Sequence, residues 1–199
     1  MYLLMLLLTA ITFQRVVILP DLSISQDEGA WHSIIDNAKS IDLRLSGDWS
    51  IDGRMLVGDS GDRPGSLASF GSQVWQDYEL DFHLTMESGK NASVFTRRSL
   101  DGKQFYATNT LAARKVFRVA EFDQTREQPG RDLSIVAFDF QEGTEYHVRI
   151  LVQGDSIKTY VDDHLVNSAV DGTLRSGSAA FALWYCRVTI RDPRYRLLD

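Results

Sequence analysis

The chain has a single cysteine, Cys186, in 199 residues. One thiol cannot close an intramolecular disulfide, and it excludes zinc sites built from several cysteines. Cys186 lies in the apolar run FALWYC, which suits a buried and inert thiol. Histidine is scarce too. His32, His83, His147 and His164 form neither an H-x-H nor an HExxH pattern, so the histidine metal motifs are absent. Acidic residues outnumber basic ones, 27 to 21, for a formal net charge of -6. That balance argues against a nucleic-acid partner, which needs clustered Lys and Arg. The pairs Arg97-Arg98 and Arg114-Lys115 have acids nearby and read as solvated strand faces. No serine sits in a G-x-S-x-G elbow.

The chain also lacks an apolar run long enough to cross a bilayer cleanly. Residues 1–13, MYLLMLLLTAITF, are unbroken, but Gln14 and Arg15 intervene before VVILP. Thirteen residues fall short of the roughly 20 that a span requires. No Lys or Arg precedes the run and no convincing small-x-small cleavage site comes after it. Residues 1–20 are read as an export signal or an anchor, with a membrane tether through residues 1–19. A hydrophobic strand docked in the fold is the alternative. The expected location is secreted or membrane-anchored, outside the cytoplasm. Residues 21–40 read as a linker leading into a short helix at WHSIIDNA, with Trp31, Ile34 and Ile35 on one side.

From Ile41 onward the texture is that of β structure. In residues 146–166, YHVRILVQGDSIKTYVDDHLV, apolar and polar residues alternate on both sides of Gly154-Asp155. Period-two alternation about a glycine turn signals a β-hairpin. WSI, Asp52-Gly53 and MLV predict a second hairpin. A strand is expected from Trp75 to Glu87, with Gly89 ending it, and others over residues 93–98, 104–108, 115–122, 133–140, 179–184 and 187–191. Ten or more short strands with no long helical period predict an all-β domain over residues 41–199, a two-sheet antiparallel sandwich. Hydrophobic residues make up 44% of the chain, enough for its core.

The landmarks WSIDG, YEL at residues 78–80, GKNASVF at 89–95, YVD at 160–162 and SGSAAFALW at 176–184 resemble the concanavalin A-like lectin/glucanase jelly-roll superfamily. Within it, the order is similar to the bacterial branch of 3-keto-disaccharide hydrolase domains and laminin G-like modules. Asp163 departs from the pattern, standing where glycine is usual. The resemblance implies a jelly roll whose sheet face or edge loops meet carbohydrate, in a carbohydrate-binding or glycan-processing role. Such motifs specify fold better than function.

Three sets of residues are candidates for chemistry. On the strand from Tyr78, the residues Glu79, Asp81 and His83 share the face opposite Leu80 and Phe82. Two carboxylates about 7 Å apart could serve a glycosidase as acid and nucleophile. The family 16 glucanases carry E-x-D-x-x-E, but Leu84 replaces the final Glu here. A polar strand face is the alternative. Sugar recognition needs an aromatic platform beside polar side chains. Tyr160, Trp184, Tyr106 and Trp75 lie outside the expected core parity, with Arg97, Arg98 and Asn109 as polar partners. No cofactor is implied. Asp59, Asp62, Asp101 and the pair Asp162-Asp163 could ligate a structural calcium through oxygen, although Asp before Gly also makes turns. The readings are thus a glycan binder, a glycoside or 3-keto-glycoside hydrolase, and a protein-interaction sandwich without a sugar site.

Overall fold

The computed structural model describes residues 29–198; the apolar segment 1–20 lies outside them. In chain order the strands are β1 (His32–Ser33), β2 (Arg44–Ser46), β3 (Trp49–Asp52), β4 (Met55–Asp59), β5 (Pro64–Phe70), β6 (Tyr78–Arg98) and β7 (Gln104–Leu111). They continue as β8 (Val116–Asp123), β9 (Gly130–Ala137), β10 (Glu145–Gln153), β11 (Ser156–Val161), β12 (His164–Val170) and β13 (Ser178–Leu197). Every pairing is antiparallel. The all-β expectation therefore holds.

Two strands, β6 and β13, pair along their length and belong to both layers. The first half of β6 pairs with β10, and the second half of β13 pairs with β4. This gives a first sheet ordered β12-β11-β10-β6-β13-β4-β3. The second half of β6 pairs with β7, and the first half of β13 pairs with β5. This gives a second sheet ordered β9-β8-β7-β6-β13-β5-β2. Gly89 was expected to end a strand, and it does not. It bends one strand from the first sheet into the second, with φ at +110°.

Side-chain alternation then fixes the core. Leu80, Phe82 and Leu84 of the first sheet face Val94, Tyr106, Phe117 and Phe181 of the second, all buried. Phe82 meets Phe181 edge-to-face at 5.1 Å between centroids, a geometry that favours aromatic pairs. The left-handed residues Tyr185 and Asp192 shift the parity of β13. Its inward set runs Phe181, Leu183, then Cys186, Val188, Ile190, then Tyr195. An apolar void of about 20 Å³ remains between the layers.

The hairpin about Gly154-Asp155 forms as expected, with Gln153 opposite Ser156 and Gly154 at φ +55°. At the YVD turn both Asp162 and Asp163 adopt positive φ, a conformation that Asp tolerates better than most residues. The short helix expected over residues 31–38 is absent. His32 and Ser33 pair with Tyr195 and Arg194 of β13, and turns come next. Ile34 and Ile41 are buried in the main core. Burial at those two positions outweighs the helical spacing, so residues 31–41 are part of the sandwich; most of the expected linker lies outside the described residues.

Candidate functional site

A depression on the outer face of the second sheet combines aromatic and polar side chains. Register places Ala182, Ser93, Asn109 and Arg118 in one row across β13, β6, β7 and β8. The adjacent row is Ala180, Phe95, Ala107 and Ala120, and beyond it Phe105 stands opposite Phe122. Small alanines beside large rings leave space. The resulting groove, about 410 Å³, has Phe95, Phe105, Trp184 and Phe122 among its walls and floor.

The rings form a chain across four strands. Trp184 and Phe95 lie 5.6 Å apart, Phe95 and Phe105 stack at 4.0 Å, and Phe105 and Phe122 stack at 5.2 Å. This apolar cluster is separate from the core between the sheets. Beside it runs a hydrogen-bonded ladder. The Ser93 hydroxyl donates to Asn91 Oδ1 at 3.1 Å, and Asn109 Nδ2 donates to the Ser93 hydroxyl. Arg118 donates to Asn109 Oδ1 through Nε at 3.3 Å and Nη2 at 3.2 Å, and to Asp132 through Nη1 at 3.2 Å. Ser93 and Asn109 are buried despite facing outward. A satisfied polar network of this kind holds its members in one arrangement.

Of the aromatic and polar residues singled out by sequence, Trp184 and Asn109 come together in this groove. Trp75 and Tyr106 do not. Trp75 is buried against Tyr195 at 4.8 Å between centroids, and Tyr106 is fully buried with its hydroxyl donating to Asp171 at 2.6 Å. Their expected place outside the core is corrected: Tyr106 alternates with Phe105, and it is Phe105 that faces out. Arg97 is sealed inside, 2% exposed, donating to the carbonyls of Gln76 and Leu174 and to Asp77. Arg98 is half-buried with its guanidinium against the turn glycine Gly102. Sequence reasoning missed Asn91, Ser93, Phe95, Phe105, Arg118 and Phe122. The alternation of Asn91, Ser93 and Phe95 with Ala92, Val94 and Thr96 was the signal that could have found three of them.

The outer face of the first sheet carries a different chemistry. Glu79, Asp81 and His83 share it, together with arginines from β10 and β13. Arg196 Nε donates to Glu79 at 2.7 Å, and Arg149 Nε faces Glu79 at 3.4 Å, an ion-pair distance without hydrogen-bond geometry. Asp81 accepts from Arg194 Nε at 2.9 Å and contacts His147 Nε2 at 3.0 Å. Both carboxylates are nearly inaccessible, at 2% and 4% exposed. Arg194 and Arg196 both lie over the Trp31 ring, at 4.8 and 4.6 Å. His83 stacks on His147 at 5.0 Å, and burial, then the charge of Arg191, pushes its imidazole below the usual histidine range. Tyr160 lies here too, with Arg149 over its ring at 4.5 Å, beside a depression of about 270 Å³.

Asp59, Asp101 and Asp162 already accept hydrogen bonds within the fold. Asp59 accepts from the Gly61 N–H at 2.9 Å, and Asp101 from Ser99 and Lys103. Asp162 accepts from the His147 N–H at 2.9 Å. Among the described residues no three His, Cys, Asp or Glu side chains are grouped to hold a metal ion.

No family model and no curated protein matches this sequence. Solved structures do match in shape. The carbohydrate binding module CBM66 from Bacillus subtilis aligns with a TM-score of 0.66 at 17% identity, over 85% of this chain and 97% of that one. A Bacillus subtilis protein of unknown function with a galectin-like fold aligns at 0.61 and 12% identity, over 86% and 99%. A Caenorhabditis elegans galectin aligns at 0.51 and 13% identity, over 71% and 98%. The fold is a jelly-roll sandwich. At such identities the likeness extends to architecture and no further.

Proposed function

We propose that this protein is a carbohydrate-binding domain and that the groove on the second sheet is its sugar site. The observation that carries the reading is the aromatic chain Trp184, Phe95, Phe105 and Phe122 set beside the ladder Asn91, Ser93, Asn109 and Arg118. Pyranose rings have apolar faces that stack on aromatic rings, while their hydroxyls need fixed hydrogen-bond partners. The groove offers both within one depression. Supporting it, the structurally similar proteins include one named a carbohydrate binding module and another named a galectin. On this reading the landmarks WSIDG, YEL and GKNASVF belong to the concanavalin A-like branch with laminin G-like and 3-keto-disaccharide hydrolase domains. Residues 1–20 would then export the domain or anchor it outside the cytoplasm.

A glycan array with the intact protein tests the site. Binding is expected to be lost in Trp184→Ala and Asn109→Ala and kept in Tyr160→Ala, which alters the opposite sheet. Binding that survives both groove variants and fails in Tyr160→Ala would move the site to the first sheet. Retention of no glycan by the folded protein would overturn the reading.

The hydrolase reading rests on one observation, the grouping of Glu79, Asp81, His83 and His147 on the first sheet. It places acid/base chemistry on that face, and Glu79→Gln and Asp81→Asn separate that chemistry from a structural role.

A further inference from the structure

We infer that the groove is built for a glycan carrying negative charge, a carboxylate or a sulfate ester; this rests on the sugar-binding reading above. Its polar lining consists of two cations, Lys90 and Arg118, and amides such as Asn91, Asn109 and Gln124, with no Asp or Glu among them. This is unexpected in a chain whose acids exceed its bases. Neutral sugar hydroxyls donate as well as accept, so a site for them gains from a carboxylate acceptor. A lining of cations and amides favours a ligand that accepts.

The two cations stand in matched settings. Lys90 Nζ lies 5.5 Å over the Tyr185 ring, and Arg118 Cζ lies 5.6 Å over the Phe122 ring. Each cation therefore covers one face of its ring and holds its charge at the groove wall, where the anionic substituent of a sugar seated in the groove can meet it. Lys90 comes directly after the Gly89 bend, and Tyr185 takes up positive φ opposite it, so the crossover between sheets builds one of these pairs. Arg118 is held by Asn109 and by Asp132, whose side chain is half-exposed. Those bonds leave one N–H on each terminal nitrogen for an acceptor such as a carboxylate or sulfate. Asp132 tempers the charge of Arg118, whereas Lys90, over the Tyr185 ring, makes no ion pair among the described residues.

Matched ligand pairs test this by calorimetry on the intact protein: an oligogalacturonide against its methyl ester, and a sulfated galactan oligosaccharide against its desulfated form. At least one charged member is expected to bind tenfold or more tighter than its neutral partner, and the winning pair identifies carboxylate or sulfate. The preference should shrink at high salt. It should fall severalfold in Arg118→Gln and also in Lys90→Gln, an exposed position whose change leaves the ladder intact. Trp184→Ala should lose both members of the pair. Equal binding of charged and neutral members, still lost in Trp184→Ala, would overturn the charge inference and leave the sugar site standing. Charged members that bind Trp184→Ala as well as the natural protein would show mere surface attraction and overturn both. Binding by no member of either pair overturns the inference as well.

Discussion

Gly89 and Cys186 pair at the place where both long strands pass from one sheet to the other. A Cβ on Gly89 would land on the Tyr185 carbonyl oxygen and the Cys186 Cα. Cys186 itself is buried, donates to the Asn91 carbonyl at 3.0 Å, and burial pushes its thiol up. The single cysteine thus has a packing role at the crossover. Asn91 and Trp184, which pair two residues along, are positioned in the groove by the same bend.

Gly89→Ala should therefore be strongly destabilising. The substitution meets backbone atoms that cannot yield, at a φ that side chains rarely adopt. A loss of about 3 kcal/mol, or a fall of roughly 6–12 °C in Tm, is expected for a chain of this size. Gly61→Ala is the control: φ is positive there too, but nothing lies within 4 Å. It should cost about 1 kcal/mol. Thermal denaturation of both variants checks this.

Arg97 gives a second stability prediction. Its guanidinium joins Gln76, Asp77 and Leu174 from segments far apart in sequence, while the backbone N–H of Arg97 donates to the Tyr78 hydroxyl at 2.9 Å. Arg97→Ala leaves buried carbonyls without donors, at a cost of about 3 kcal/mol or more. Arg97→Lys keeps the charge but not the fork, and should recover only part of the loss. Glycan affinity measured below Tm should be unchanged, because the side chain lies inside the fold.

The sheet pattern was legible in the chain because its signals are local. Gly154-Asp155 and Asp52-Gly53 set turn geometry by themselves, and alternation names two faces. Which face is inside is not local. Phe105 and Tyr106 are adjacent aromatics, and Phe117 and Phe122 differ in parity; only the partner sheet decides among them. Gly89 looks like punctuation until Cys186 is found beside it. The groove was half-hidden for the same reason: Arg118 and Asn109 are joined by register across β7 and β8, not by sequence spacing.

Acid should weaken the fold through its capped aspartates. The Thr125 hydroxyl, then Gln104, then the Thr125 N–H lower Asp123 to about 2. Asp171 is also lowered: burial pushes it up, but hydrogen bonds from Tyr106, Thr173 and Arg131 outweigh that. An Asp in the unfolded chain titrates near about 3.9. The folded value is lower, so this stabilisation is complete above the unfolded value and lost as pH falls toward about 2 for Asp123. Asp123→Asn should lower Tm at neutral pH, and its gap from the natural protein should close between about pH 4 and pH 2. A Tm series across that range checks the direction.

Glu79→Gln and Asp81→Asn separate a structural face from a catalytic one. If the carboxylates serve mainly to hold Arg149, Arg194, Arg196 and His147, neutralising either leaves a nearly buried charge pattern incomplete. Each variant should then lose about 1–3 kcal/mol, a fall of roughly 2–12 °C in Tm. A glycosidase pair behaves differently: hydrolysis falls by orders of magnitude with little change in Tm, because catalytic groups act on substrate rather than on neighbours. Arg196→Gln sharpens the contrast. It removes a donor to Glu79 without touching a carboxylate, so a structural face predicts that it destabilises the protein much as Glu79→Gln does. Combining the two should cost less than the sum of the single changes, since both break one interaction. Full additivity would mean that Glu79 and Arg196 do not act as a pair.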